Sequence, residues 1–255
     1  MVRSSRRLLR LTTAIRNAAR DSAGLASPTD RALWQQRHAI AMLRAMEIEV
    51  EVRGDWPRSG LLVANHLGYL DILVIASHLP CAFVSKSEVR SWPFIGNLLG
   101  AAGTILANRD SPQSARETIQ DIRQSLESGI PVVVFPEGTS SDGSAVLPFR
   151  SSLLESVAGS DWPVHPLAIS YLGSGGNTGR DICYWGDDTF LPHLIRLAGI
   201  DPILATVAVG PGQESRPSRK DAAAHLRLEV IRLLDGIREY HASGLSSLPP
   251  RGTGM

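Results

Sequence analysis

Leu61-Leu62-Val63-Ala64, followed directly by Asn65-His66-Leu67-Gly68-Tyr69-Leu70-Asp71, is the stretch on which the fold turns. The four apolar residues read as a short buried strand. From Asp71 onward, Ile72, Leu73, Ile75, Ala76 and Leu79 recur at helical spacing until Pro80 stops the pattern. Helical positions five apart are separated by roughly 140°, because each residue advances about 100°. His66 and Asp71 therefore meet only if His66 lies in the turn before the helix and Asp71 in its first turn or two. The spacing predicts a strand, a turn carrying an imidazole, then a helix. An imidazole with one nitrogen held by a carboxylate is an oriented general base, able to take a proton from a hydroxyl near neutral pH.

The same alternation extends outward in both directions. Upstream, Ser27-Pro28-Thr29-Asp30 opens a helix that runs to about Met46, and Ile48 to Val52 alternates like a half-exposed strand. Downstream, Ala82 to Ser85 forms a strand ending at Lys86. This cation stands where α/β folds place ligand groups, or is a solvated surface lysine. Gly103 to Ala107 forms another strand, ending at Asn108-Arg109-Asp110. Ser111-Pro112 then starts a helix over about Gln113 to Leu126, with Gly129 past its end. Pro131 to Phe135 is the most apolar strand, hence central and buried on both faces. It delivers Pro136-Glu137-Gly138-Thr139-Ser140-Ser141-Asp142-Gly143, a polar loop suited to a small hydroxylated ligand. Phe149 to Leu154 leads into a further helix, Val164 to Ser170 and a strand-like Ile182 to Tyr184 follow, and Ala205 to Val209 is the last strand before a helix from about Ser218 to Tyr240. This order predicts an α/β fold with a mostly parallel central sheet flanked by helices.

The chain has 255 residues and a net charge of +1, with 26 basic and 25 acidic residues, so it is no electrostatic nucleic-acid binder. Two isolated cysteines, Cys81 and Cys183, make neither a disulfide framework nor a metal site, and point to a reducing compartment. Arg3, Arg6, Arg7, Arg10, Arg16 and Arg20 precede the first acid, Asp21, and share residues 2 to 20 with Leu8, Leu9, Leu11, Ile15 and Ala19 at helical spacing. That is a basic amphipathic helix. It either packs on its own domain or lies at an anionic membrane interface, in which case deleting residues 1 to 20 shifts the protein toward the soluble fraction. The uncharged run from Ser91 to Asn108 contains Pro93 and three glycines and reads as a buried helix, turn and strand, not a membrane span. The expected organisation is a helical membrane-associating segment over 1–47, a catalytic domain over 48–242 and a disordered tail over 243–255, at the cytoplasmic face of the membrane.

Four blocks stand in one order: Asn65-His66 with Asp71, Gly103-x-Ile105-x-x-x-Arg109, Phe135-Pro136-Glu137-Gly138-Thr139, and Val164-His165-Pro166. In order and spacing they resemble the glycerolipid acyltransferases, the family of 1-acylglycerol-3-phosphate and lysophospholipid acyltransferases, over roughly residues 48 to 210. The resemblance implies that His66 deprotonates the acceptor hydroxyl, that Asp71 orients it, and that the oxygen attacks an acyl thioester directly. No serine nucleophile or cofactor is then needed; acyl-CoA or acyl carrier protein is the co-substrate, and a lysolipid at a membrane surface the acceptor. It also implies acceptor-binding roles for Asn65, Lys86, Arg109, Glu137, Gly138 and Thr139, with no metal.

One departure bears on the acceptor. In the phosphatidate-forming branch the third block continues Gly-Thr-Arg-Ser, whereas Ser140 stands here in place of that arginine. Ser140 to Gly143, Leu147-Pro148-Phe149-Arg150 and Trp185-Gly186-Asp187 are similar to the branch that includes lyso-ornithine lipid acyltransferases, and Arg150 is positioned in sequence to replace the missing charge.

Overall fold

The structure, a computed structural model, describes residues 2–87, 89, 95–108, 111–173, 181–200, 202–214 and 218–244. Seven strands form one sheet: β1 (Ile48–Arg53), β2 (Leu61–Ala64), β3 (Ala82–Lys86), β4 (Ile105–Ala107), β5 (Val132–Val134), β6 (Val164–Gly173) and β7 (Ile203–Val209), in the spatial order β1-β7-β6-β2-β5-β3-β4. Every pairing is parallel except β6 with β7. The expected mostly parallel α/β sheet is therefore present, with an edge pair, β1 and β7, running against the other five strands.

Alternation along the central strands assigns the two faces. Leu62, Ala64 and Val133 enter one core with helices α1 (Val2–Asp21), α2 (Pro28–Met46) and α3 (Tyr69–His78). Leu61, Val63, Val132 and Val134 enter the other, with α5 (Pro112–Glu127) and α7 (Arg219–Ala242). Side chains of neighbouring strand residues point to opposite faces, so strands buried on both faces are apolar throughout. Two further helices, α4 (Ile95–Ala101) and α6 (Phe190–Ala198), lie on the α1–α3 side.

The helix boundaries follow local chemistry. Ser27 caps α2 through a reciprocal pair with Asp30, and Pro28 occupies its first turn, where no amide hydrogen is required. Ser111 and Ser218 cap α5 and α7 one way only, their hydroxyls accepting the amides of Ser114 and Asp221. Two expected elements differ. The segment after Phe149 forms only one 3₁₀ turn, Ser152–Ser156. Ile182 to Tyr184 is not a strand; the Tyr184 amide donates to the Leu67 carbonyl, and no ladder forms along the segment. The tail beyond 244 lies outside the described residues.

Residues 2 to 21 are helical as expected, and part of their apolar stripe packs inward: Leu8 and Ile15 are partly buried against the core, whereas Leu9 and Ala19 stay exposed. Leu11, Ala14 and Ala18 are buried in the core shared with α2, β2 and β6. Arg7, expected on a charged face, is 1% exposed. Its guanidinium donates to Glu47 at 2.8 Å and to the carbonyls of Ala198 and Ile200 at 3.3 and 2.6 Å. Carbonyls left over at the end of α6 and a carboxylate at the end of α2 supply the acceptors that a buried guanidinium needs. The α1 helix is thus packed into the fold, and removing it would open that core.

Candidate active site

The expected turn is present between β2 and α3. Gly68 caps α3, and Asp71, at the third helical position, accepts the cap's backbone amide at 3.0 Å. Gly68 has φ +150°, and a Cβ on it would lie 2.8 Å from that of Tyr184, so only glycine fits this turn. Asp71 is fully buried. Its Oδ2 accepts from the amides of Leu67 and Gly68 at 2.6 and 3.0 Å and from His66 Nδ1 at 2.8 Å, and its Oδ1 accepts from the Tyr171 hydroxyl at 2.6 Å. Four donors and no competing acceptor converge on it, which suits the acceptor-only oxygens of a carboxylate.

This fixes the imidazole tautomer. His66 Nδ1 carries the hydrogen that Asp71 accepts, and Nε2 keeps its lone pair. The ring stacks on Phe135 with centroids 4.1 Å apart, and Phe83 stacks behind Phe135. Tyr171, on β6, was not singled out by the sequence; its only signal was its place in the apolar alternation Leu167, Ile169, Tyr171. Burial, reinforced by the adjacent Asp71 charge, pushes its hydroxyl well above the usual phenol range, so it stays protonated and donates.

The remaining expected residues fall into two groups. Asn65 is buried and turned toward β6: its side-chain amide donates to the Ile169 carbonyl at 3.0 Å and accepts the Ile169 amide at 2.8 Å, clamping the end of β2 to β6. Glu137 turns inward as well and is 3% exposed. Its Oε1 accepts the His66 amide at 3.0 Å and its Oε2 the Leu147 amide at 3.3 Å. Lys86, Thr139 and Arg150, by contrast, are exposed. Lys86 ends β3, Gly138 makes the positive-φ turn leading to Thr139, and the Arg150 amide is tied to the Pro136 carbonyl at 2.9 Å. Arg109 lies outside the described residues.

Burial pushes the Glu137 carboxyl up to about 7, against the lowering effect of its two amide donors. Between the ordinary carboxylate range and that value, the folded protein holds a proton that the unfolded chain has released. Stability is therefore lost as pH rises from about 4.5 to 7, by up to about 3 kcal/mol. Chemical unfolding across this range is expected to show that decline in the parent and not in Glu137→Gln. Parallel profiles for the two proteins would refute it.

Beside the turn lies a feature with no single-residue signature in the sequence, an apolar cavity of about 180 Å³ between α1, α2, α3, α4 and α6. Trp34, Met42, Leu73, Leu98 and Leu194 line it, and Tyr69 and Leu70 connect it to the His66 turn. Tyr69 is held by His193 of α6: its hydroxyl donates to Nδ1 at 2.8 Å, while Nε2 donates to the Cys183 carbonyl at 3.1 Å.

Residues 47–170 match the family model described as Acyltransferase. Lyso-ornithine lipid O-acyltransferase from Rhizobium meliloti is 36% identical over 64% of this chain and 61% of its own length, so the chain spans about six-tenths of that relative. A 1-acyl-sn-glycerol-3-phosphate acyltransferase from Neisseria gonorrhoeae is 29% identical over 71% of this chain and 76% of its own. Among solved structures, the 1-acyl-sn-glycerophosphate (LPA) acyltransferase PlsC from Thermotoga maritima superposes with a TM-score of 0.69 over 93% of this chain and 95% of its own, at 19% identity, a likeness of fold. Taken with the His66–Asp71 turn at the end of β2, the match assigns residues 47–170 to an acyltransferase domain, similar in sequence to lyso-ornithine lipid and 1-acyl-sn-glycerol-3-phosphate acyltransferases.

Proposed function

We propose that the protein transfers a fatty acyl group from an acyl thioester, acyl-CoA or acyl carrier protein, to the free hydroxyl of a lysolipid in membrane lipid biosynthesis. The observation that carries this reading is the His66–Asp71 pair, with Nε2 of the imidazole unpaired by Asp71, beside an apolar cavity of about 180 Å³. His66 Nε2 takes the acceptor's hydroxyl proton as the oxygen attacks the thioester carbonyl. The imidazolium that forms is stabilised by Asp71 through Nδ1–H. Collapse of the tetrahedral intermediate breaks the carbon–sulfur bond, and the departing thiolate takes the proton from Nε2, which restores the base. The steps balance without a metal, cofactor or covalent enzyme intermediate.

For the acceptor, two readings stand. A 1-acylglycerol-3-phosphate would need cations for its phosphate, and the family resemblance offers Lys86 and Arg109 for that role, with Arg150 as a substitute for the missing arginine. A lyso-ornithine lipid, which carries no phosphate, is favoured by Ser140 in the position where the phosphatidate-forming branch has an arginine, and by the higher identity to the Rhizobium meliloti enzyme than to the Neisseria gonorrhoeae one. Incubating the full chain with labelled acyl-CoA or acyl carrier protein and a panel of lysolipids tests both. Product with lyso-ornithine lipid at a kcat/KM at least about tenfold above that for 1-acylglycerol-3-phosphate is expected, a difference of about 1.4 kcal/mol in the transition state. The reverse order would select the phosphate acceptor, and no product with any lysolipid and either donor would overturn the function.

A further inference from the structure

Asp71 is a carboxylate with no access to water, and a charge so placed needs donors on both of its oxygens. The turn that carries it serves one of them. Oδ2 accepts from the amides of Leu67 and Gly68 and from His66 Nδ1, all within five residues along the chain. Oδ1 has a single donor among the described residues, the Tyr171 hydroxyl at 2.6 Å, which comes from 100 positions away. That length belongs to a charge-assisted O–H···O⁻ bond, roughly twice as strong as a neutral one.

The sheet fixes where this hydroxyl lies. Tyr171 is 4% exposed, and its backbone pairs with Ala205 on the antiparallel β7. Two residues earlier, on the same face of β6, Ile169 has its amide and its carbonyl held by the Asn65 side chain, and Asn65 is the residue before His66. The strand that carries Tyr171 is thereby locked in register with the turn that its hydroxyl reaches. Tyr171 lies one position beyond the segment that matches the Acyltransferase model and in none of the four sequence blocks.

We propose that Tyr171 is a positioning residue for acyl transfer: its hydroxyl holds the Asp71 carboxylate with Oδ2 turned to His66 and, by sharing that carboxylate's charge, limits how strongly Asp71 pulls on the Nδ1 proton. The purpose rests on the acyltransferase reading; the coupling of the three side chains does not. Three other titratable groups face them: Glu137 from the loop after β5, Cys183 from the segment before α6, and Tyr69 from α3 itself. Burial pushes the Cys183 thiol up to about 12 and the Tyr69 phenol higher still, so both stay neutral. Glu137, pushed up to about 7, does titrate, but it shares no hydrogen bond with Tyr171, and its contribution is common to parent and variant.

Tyr171→Phe keeps the ring and deletes the donor. Asp71 then binds a proton more readily and pulls harder on the imidazole, and both effects withdraw the free base at a higher pH. The acid limb of the kcat/KM profile is expected to move up by about one to two pH units, the size of one hydrogen bond to a charged group, with the KM for acceptor unchanged on the plateau. At a fixed pH above that limb, the His66 Nδ1–H proton resonance, assigned as the one missing in His66→Ala, is expected to move downfield as its bond to Asp71 tightens.

Should Tyr171→Phe fail to fold, a ring-fluorinated tyrosine at position 171 keeps the hydroxyl and makes it the stronger donor. Limb and resonance are then expected to move the opposite way. A folded Tyr171→Phe with limb and resonance unmoved, whatever its turnover, would make Tyr171 a packing residue and overturn the proposal. An unmoved resonance in the fluorotyrosine protein would overturn it as well. If the resonance moves in a protein that acylates no lysolipid, the catalytic reading fails and the coupling of Tyr171 to His66 through Asp71 stands.

Discussion

His66→Ala is expected to lower turnover by about 10²–10⁴-fold while leaving the protein folded, the range a positioned general base contributes. Folding should survive because little of the local architecture depends on the ring. Asp71 keeps the amides of Leu67 and Gly68 and the Tyr171 hydroxyl as donors. The bonds from the His66 amide to Glu137 and from the Ser141 amide to the His66 carbonyl belong to the backbone and persist. What the fold loses is the hydrogen bond from Nδ1 to Asp71 and a stacking contact with Phe135, the latter worth about 0.5–1.5 kcal/mol. Turnover of labelled acyl thioester, read beside the thermal unfolding midpoint, checks both halves. A folded variant acylating lysolipid at the parental rate would remove His66 from the chemistry.

The parts of this molecule that were legible in the sequence are those encoded by neighbours along the chain. Ser27-Pro28 and Ser111-Pro112 announce helix starts because the capping oxygen and the amides it accepts lie within three residues. The five-residue spacing of His66 and Asp71 could be converted into a turn because only one arrangement of strand and helix lets them meet. Contacts between distant segments left no such trace. Tyr171 reaches Asp71 across 100 positions, and Arg7 reaches Ile200 across 193. A tyrosine in a strand and an arginine in a helix look the same whether their polar ends face water or a buried carboxylate. Glu137 shows the limit from the other side. A glutamate in a polar loop reads as a ligand group, yet the backbone amides of His66 and Leu147 draw it inward. The cavity is further still from the sequence, since it is bounded by single side chains from several helices whose packing the apolar pattern does not specify.

Asp71→Asn is expected to cost about as much turnover as losing the base, up to about 10⁴-fold, by a different route. An asparagine has one acceptor and one donor end, and the donors around position 71 decide which way it turns. Three donors face Oδ2, two of them fixed backbone amides that cannot reverse their polarity. Only the Tyr171 hydroxyl faces Oδ1, and a hydroxyl can rotate to accept. The amide oxygen should therefore take the Oδ2 position and the amide nitrogen should donate to Tyr171. His66 then keeps its Nδ1–H tautomer and its orientation, and what disappears is the negative charge that stabilises the imidazolium during attack. Asp71→Ala would leave four buried donors without a partner, at about 1–3 kcal/mol each, so its inactivity could be unfolding. Asparagine separates the two. The expected result is a collapse of kcat with the KM for acceptor little changed and a thermal midpoint close to the parent's. Retained kcat in a folded Asp71→Asn would show that Asp71 acts only by holding the turn, with its charge playing no part in the transfer.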